Sequence, residues 1–361
     1  MTGWGIIELS WKQIWGVVGA ALSLAACSAE SPVERAPDSV SDVSGPAAVA
    51  DDPTVTYAND RVTDGLYYSE DYFEHNGQTL HYVEAGAGDL IIFYHGFPSY
   101  WLSFYQQMEA LKPDYRVVAV DGLGAGLSTK PDDLAFYQID ALAAHLDALA
   151  NELAGGEPFV LVGHDWGAAL AFAFAEAYPQ RLRAVAGFNA PSYNIFLDLL
   201  RSSEAQQNIS RYMAIMLETP PSSVRENPPG ERIWQQSYGG LLGRAEISQA
   251  EYDLFGQALR PAAATNGGYN WYRANIPVPA EILDDDFWPA PGRVIEVPSL
   301  LVWGDQDRTF VPEFLDIMAA AFSNLEIVNI EGANHWTTIS HPELSNAALR
   351  QLLGRVSDQA E

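Results

Sequence analysis

The chain has 361 residues, room for two domains or for one large domain carrying an insertion. With 48% hydrophobic and 18% charged residues its composition is that of a globular protein, which excludes a wholly disordered chain. Its 47 acidic residues against 19 basic ones give a net charge of −28, a field that repels nucleic acid and anionic membrane surfaces and argues against both as partners.

In chain order, the first feature is an apolar run from Ile14 to Ala26, preceded by Lys12. It falls short of the about 20 residues a permanent membrane helix needs, and it fits the apolar part of a secretory signal. It ends Leu24-Ala25-Ala26-Cys27, and Cys27 is the only cysteine, so the chain can form no internal disulfide. This ending resembles the bacterial lipobox. The resemblance implies that residues 1–26 are a removed signal peptide and that Cys27 carries the lipid. It also implies an exported protein, periplasmic or outer-membrane, whose one membrane contact is that anchor; Ser28 is not the Asp typical of inner-membrane retention. Residues 27–60 are rich in Ser, Pro, Ala and Asp without apolar periodicity, which predicts a disordered tether.

From residue 61 onward short apolar runs alternate with helical patterns. Leu90–Tyr94, Tyr115–Val120, Phe159–Val162, Leu300–Trp303 and Leu325–Ile330 are runs of strand length, most of them apolar throughout. Such strands belong to a sheet covered on both faces. Gln138–Leu153 carries Ile139, Leu142, Leu146 and Leu149 at helical spacing and stops at Gly155-Gly156. The helix after Gly167 is small and apolar on all sides, which predicts a buried position. Alternation of this kind indicates a mostly parallel α/β sheet flanked by helices. Residues 191–291 break the series with a helical, Gln-, Asn-, Tyr- and Pro-rich segment, which reads as a cap inserted into a core formed by 61–190 and 292–361.

The chemistry centres on Gly163-His164-Asp165-Trp166-Gly167, between an apolar strand and a helix. This is the G-x-nucleophile-x-G spacing of a strand-to-helix elbow, with glycines where side chains would clash. The central residue is Asp165, which excludes serine-esterase chemistry at this position. A carboxylate is a nucleophile at neutral pH and forms a covalent ester; it could also simply cap the helix that follows. In elbow hydrolases an acid and then a histidine follow the nucleophile in the chain. Asp305 and Asp307 after the run ending at Trp303 are the candidate acids, and His335 after the last strand is the candidate histidine. Asp121-Gly122-Leu123-Gly124-Ala125-Gly126 follows a strand but lacks the dinucleotide glycine spacing and reads as a structural turn.

These motifs together resemble the epoxide hydrolase branch of the α/β-hydrolase superfamily over about residues 65–355. The family's H-G-F-P stands at His95–Pro98, its G-H-D-W-G at Gly163–Gly167 and its N-W-Y-R at Asn270–Arg273. The resemblance implies an α/β-hydrolase fold with a helical cap. It assigns Asp165 as nucleophile, Asp307 as acid and His335 as base, with the backbone amides of Phe97 and Trp166 as oxyanion hole. Tyr272 and, on weaker local similarity, Tyr212 would hold the epoxide oxygen; Trp271 and Trp336 would contact the substrate. The substrate would be a small-molecule epoxide, apolar if Trp271, Phe287 and Trp288 line the cap, and neither metal nor organic cofactor is implied. Leu123 stands where the family usually has Arg, which puts the local salt bridges in doubt. Two relatives in mechanism are the haloalkane dehalogenases, which typically have Asn where Phe97 stands, and the haloacetate dehalogenases, which usually have Arg where Trp166 stands. A non-catalytic, surface-anchored binding protein on the same scaffold is a further alternative, and the intact set Asp165, Asp307 and His335 argues against it.

Overall fold

In the computed structural model, which describes residues 68–357, the short apolar runs become the interior strands of one eight-stranded sheet. The expectations for the signal, Cys27 and the tether lie outside the described residues. The strands are β1 (Ser69–His75), β2 (Gln78–Ala85), β3 (Leu90–Tyr94), β4 (Arg116–Val120), β5 (Phe159–His164), β6 (Leu182–Phe188), β7 (Ser299–Gly304) and β8 (Leu325–Ile330). Their spatial order is β1-β2-β4-β3-β5-β6-β7-β8, antiparallel from β1 to β4 and parallel from there on. β3, β5 and β7 are buried at every residue, which is why they read as unbroken apolar runs. This is the α/β-hydrolase fold the sequence leads one to expect.

Three strands escape the apolar-run criterion. β1 and β2 form a hairpin on the sheet edge with alternating or polar residues, joined through Asn76 and Gly77, both at positive φ. β6 is diluted by Ala and Gly because the helix behind it comes close. A Cβ on Gly187 would stand 2.2 Å from the Phe172 ring.

The first helices are α1 (Tyr105–Leu111), α2 (Ile139–Ala154) and α3 (Trp166–Ala177). α2 ends where its glycines predict, on Gly155 in the left-handed conformation. α3 is buried at every residue but the last, as its alanines require. Between β6 and β7 run α4 (Tyr193–Ser202), α5 (Glu204–Ile209), α6 (Met213–Glu218), α7 (Pro221–Glu226), α8 (Gly230–Gly243), α9 (Gln249–Leu259) and α10 (Ala262–Asn275). After β7 come α11 (Phe314–Ala321), α12 (Thr337–Ser340) and α13 (Pro342–Ser357).

The helical segment is fastened to the sheet layer at both connections. Asn194 at the start of α4 donates to the Pro289 carbonyl (2.8 Å) and accepts from the Trp288 amide (3.0 Å). Within the segment, Arg273 of α10 donates to the Met216 and Thr219 carbonyls at 3.1 and 2.5 Å, locking α10 against α6.

Candidate active site

The elbow between β5 and α3 is a steric consequence of its glycines. A Cβ on Gly163 would lie 2.1 Å from the Gly167 carbonyl oxygen, and one on Gly167 would lie 1.9 Å from that of Tyr94. Asp165 at the apex is held at φ 54°, ψ −122°, a conformation costing a non-glycine residue of order 1–3 kcal/mol. Its side chain makes no capping bond to α3. Oδ1 instead accepts the Phe97 amide at 2.9 Å, and the Trp166 amide also reaches the carboxylate. Gly96 makes the approach possible, since a Cβ there would be 2.2 Å from Oδ1. Oδ2 is left facing His335 Nε2 at 3.5 Å.

The loops after β7 and β8 bring up the other two groups. His335 Nδ1 donates to Asp307 Oδ2 at 2.9 Å. Asp307 Oδ1 takes the Thr309 amide (2.9 Å) and hydroxyl (2.6 Å). Asp305, the other candidate acid, is exposed and accepts from the Gly332 amide at 2.8 Å, so it braces the loop and leaves His335 to Asp307.

Charge follows geometry. Burial acts to lower the His335 pKa, but the carboxylates of Asp307 and Asp165 outweigh it and push it up to about 10. Burial alone would raise Asp165 and Asp307, yet both are held below the usual carboxylate range. For Asp165 the main causes are the hydrogen bond and charge of His335, then His164 and the Trp166 amide; for Asp307 they are His335 and then Thr309. Burial and the neighbouring His335 drive His164 down to about 4. It is therefore a neutral ring at pH 7, donating from Nε2 to the His335 carbonyl at 2.7 Å.

A slot opens over Asp165, walled by Trp166, Phe196, Tyr212, Met213, Tyr272 and Phe310. Its free volume of about 20 Å³ is the room of a single water. A larger outer pocket of about 420 Å³ adjoins it, bounded by His335, Trp336, α8 and the loop after β7. Tyr212, in the turn Ser210–Tyr212, lines both spaces, and 39% of it is exposed. The Tyr212 and Tyr272 hydroxyls interact with each other, and the Trp166 side chain donates to that of Tyr272. Burial of the hydroxyl end holds both phenols above their ordinary pKa, reinforced for Tyr212 by the charge of Asp165 and for Tyr272 by Tyr212 and then Asp165, so both remain donors.

The structure thus brings together Asp165, Asp307, His335, Tyr212, Tyr272 and the Phe97 and Trp166 amides. Trp336 lines the outer pocket. Trp271 does not face the slot: its indole N–H is bonded to the Leu123 carbonyl (2.8 Å) and its ring packs on Tyr94 and Trp166. It is a packing residue, because one step along α10 from Tyr272 turns it by about 100° toward the sheet. Phe287 lies on a separate groove.

The glycine-rich turn after β4 is structural, as its spacing suggests. Asp121 accepts from the Trp101 amide (3.0 Å) and the Leu127 amide (2.9 Å), and His95 accepts the Gly122 amide at 2.8 Å. The doubt raised by Leu123 resolves through other side chains. His81 contacts Asp121 at 2.8 Å, and Lys130 fills the turn, donating to the Gly126 carbonyl at 2.6 Å and the Ser128 carbonyl at 2.8 Å.

The sequence reading missed Asn189, which follows β6 at φ 58° and is fully buried. Its Nδ2 donates to Asp307 Oδ2 at 2.9 Å, and its Oδ1 accepts from the Thr337 hydroxyl. A polar residue at the carboxyl end of a central strand was the available signal. Asn189→Gly keeps the backbone and removes the bond; kcat should fall about tenfold with KM nearly unchanged, in steady-state assays.

A family model described as alpha/beta hydrolase fold matches residues 89–342. Epoxide hydrolase 3 of Xenopus tropicalis is 30% identical over 289 residues, covering 77% of this chain and 75% of the relative. Epoxide hydrolase 4 of Mus musculus is 26% identical over 354 residues, covering 94% and 92%. Among solved structures, the Bacillus megaterium epoxide hydrolase in complex with an inhibitor is similar with a TM-score of 0.71 at 26% identity, covering 79% of this chain and 100% of its own. With the elbow, the sheet order and these relatives in agreement, this chain belongs to the epoxide hydrolase family of the α/β-hydrolase superfamily.

Proposed function

We propose that this hydrolase opens an epoxide to a vicinal diol through an ester on Asp165. The observation that carries the reading is the division of the Asp165 carboxylate: Oδ1 accepts the Phe97 amide at 2.9 Å, while Oδ2 faces His335 Nε2 at 3.5 Å and the slot lined by the two phenols. Oδ2 attacks a ring carbon, the carbon–oxygen bond of the ring breaks, and its electron pair goes to the epoxide oxygen. That oxygen takes a proton from Tyr212 or Tyr272. His335, oriented by Asp307, then takes a proton from water, and the hydroxide attacks the Asp165 carbonyl carbon. The negative charge falls on Oδ1, already between the Phe97 and Trp166 amides. Collapse expels the diol oxygen, which His335 protonates, and the proton of the regenerated carboxyl group restores the phenol through solvent.

The same nucleophile could displace a halide. Phe97 in the H-G-F-P loop offers no side-chain donor to one, and two phenols facing the nucleophile suit an oxygen. A single turnover in water labelled with heavy oxygen, on a panel of epoxides and haloalkanes, tests the reading. The first diol should carry unlabelled oxygen from Asp165, with the label left in the protein. Label in the first diol, or halide release in place of diol, would overturn it. Tyr272→Phe should slow ring opening about tenfold to a hundredfold in pre-steady-state traces, part of the donation surviving on Tyr212. An unchanged rate would reduce Tyr272 to packing.

We further infer export and lipid anchoring through Cys27, supported by the apolar run and Leu24-Ala25-Ala26-Cys27. In a bacterial host Cys27→Ser should move the protein from the detergent phase to the aqueous phase on partitioning.

A further inference from the structure

A second groove lies on the far end of the elbow helix. Glu176 stands ten residues along α3 from Trp166, about 15 Å at 1.5 Å per residue, so the groove is well removed from the nucleophile. Its volume of about 360 Å³ is within the range of small-molecule sites. The walls are α4, the linker that returns from α10 to β7, and α11, and they present Ile195, Phe287, Val294 and Ile317. Val294 and Ile317 are 58% and 38% exposed.

Glu176 lies in the floor, only 7% exposed. Its Oε2 accepts from Asn194 Nδ2 at 3.1 Å, and among the described residues no cation comes within ion-pair distance of it. The charged neighbours are accounted for element by element. On α4, Asp198 and Arg201 are paired at 3.0 Å, and Arg201 also holds Asp284 at 2.9 Å. On the linker, Arg293 is exposed on the rim and acts on Glu176 only from a distance. α11 contributes Ile317 and Ala321, neither of them charged. Burial raises Glu176 to about 7, against the hydrogen bond from Asn194 and the distant charge of Arg293, and no cation pairs with it directly. Of the two arginines on the groove, Arg201 is committed to Asp198 and Asp284, which leaves the Glu176 carboxyl without an ion-pair partner.

We propose that this groove is a second ligand site, distinct from the catalytic slot, for an organic cation: an ammonium group seated on Glu176 with an apolar body along Val294 and Ile317. Asn194 holds Glu176 and both connections of the helical segment at once, so the ligand would rest on the joint between cap and core.

The test is calorimetric titration of the purified chain with hexylammonium, and with hexan-1-ol and hexanoate as neutral and anionic counterparts. Hexylammonium should bind at a single site, and the other two about tenfold more weakly or not at all. Glu176→Gln keeps the oxygen that accepts from Asn194, so the fold is retained while hexylammonium binding weakens about tenfold. Ile317→Lys, on an exposed position, should weaken it as well by charge repulsion. Binding to the wild type should also weaken as pH falls through about 7, because protonation removes the carboxylate that receives the cation. Equal binding by wild type and Glu176→Gln would overturn the proposal, as would equal binding of hexan-1-ol. So would loss of binding in Asp165→Asn, which would place the ammonium in the catalytic slot.

Discussion

Asp165→Asn should lower turnover of any epoxide substrate by at least about 10⁴-fold, some 5 kcal/mol of barrier, while the protein stays folded. The size follows from what is removed. The neutral amide is a poor nucleophile, and no other carboxylate at the slot is free, Asp307 being held by Thr309, Asn189 and His335. The fold survives because Asn is isosteric and its oxygen can still accept the Phe97 amide at Oδ1. Circular dichroism and steady-state rates on the same sample check both halves. Activity that returns over hours, with a gain of one dalton, reports deamidation back to Asp and supports the assignment. Undiminished activity without that mass change refutes it.

His335→Gln should separate the two chemical steps. Alkylation of Asp165 does not need a base, so the variant should consume about one equivalent of epoxide and stop, with later turnover reduced about 10³-fold or more. Intact-mass spectrometry should find protein plus one substrate, and peptide mapping should place the adduct on Asp165. Absence of an adduct would count against a covalent route.

The wild-type pH profile follows from the same charges. In the free enzyme two carboxylates hold the His335 pKa at about 10, so at pH 7 the ring is a cation. Esterification neutralises Asp165 and removes one of the two, so the His335 pKa falls just when a base is required. Ester hydrolysis should therefore speed up as pH rises through the lowered value, and alkylation should fade only in acid, as Asp165 takes a proton. Stopped-flow single turnovers resolve the two limbs.

Stability carries the opposite sign for the base. Because the folded pKa of His335 is raised above 6.5, its contribution is complete below pH 6.5 and is lost as pH rises toward about 10. Asp165 and Asp307 are depressed, so theirs is complete above the ordinary carboxylate range and is lost in acid.

The parts of the fold legible in the sequence are those where burial leaves no choice. β3 and the apolar stretches Phe159–Val162 of β5 and Leu300–Trp303 of β7 are buried at every residue, and the elbow glycines admit no side chain at all. The edge hairpin β1–β2 was illegible because one face meets solvent, and β6 because Phe172 needs the space a side chain at Gly187 would take. Within the site, chain order alone placed His335 and narrowed the acid to Asp305 or Asp307, and the family resemblance chose Asp307. Tyr212 required local similarity, since nothing in a short turn between α5 and α6 announces which way a phenol points. Trp271 was misread for a related reason: neighbours on a helix look in different directions, and only Tyr272 of that pair meets the slot. Asn189 had only its place at the carboxyl end of a central strand to mark it, because its work is done through another side chain.

The backbone of Asp165 is anchored without help from its carboxylate. Its amide donates to the Phe188 carbonyl at 3.0 Å, and its own carbonyl accepts from Ala168 and Ala169 at 2.9 and 3.0 Å. The elbow is in that sense a socket, indifferent to the reagent fitted into it. One codon at position 165 can therefore exchange a carboxylate for a hydroxyl or a thiol in the same place, beside the same two amides, without rebuilding the sheet. New reaction types on this scaffold are separated by single substitutions at the socket and by whatever faces it from the cap, so the cap is where natural or laboratory selection has the most to vary.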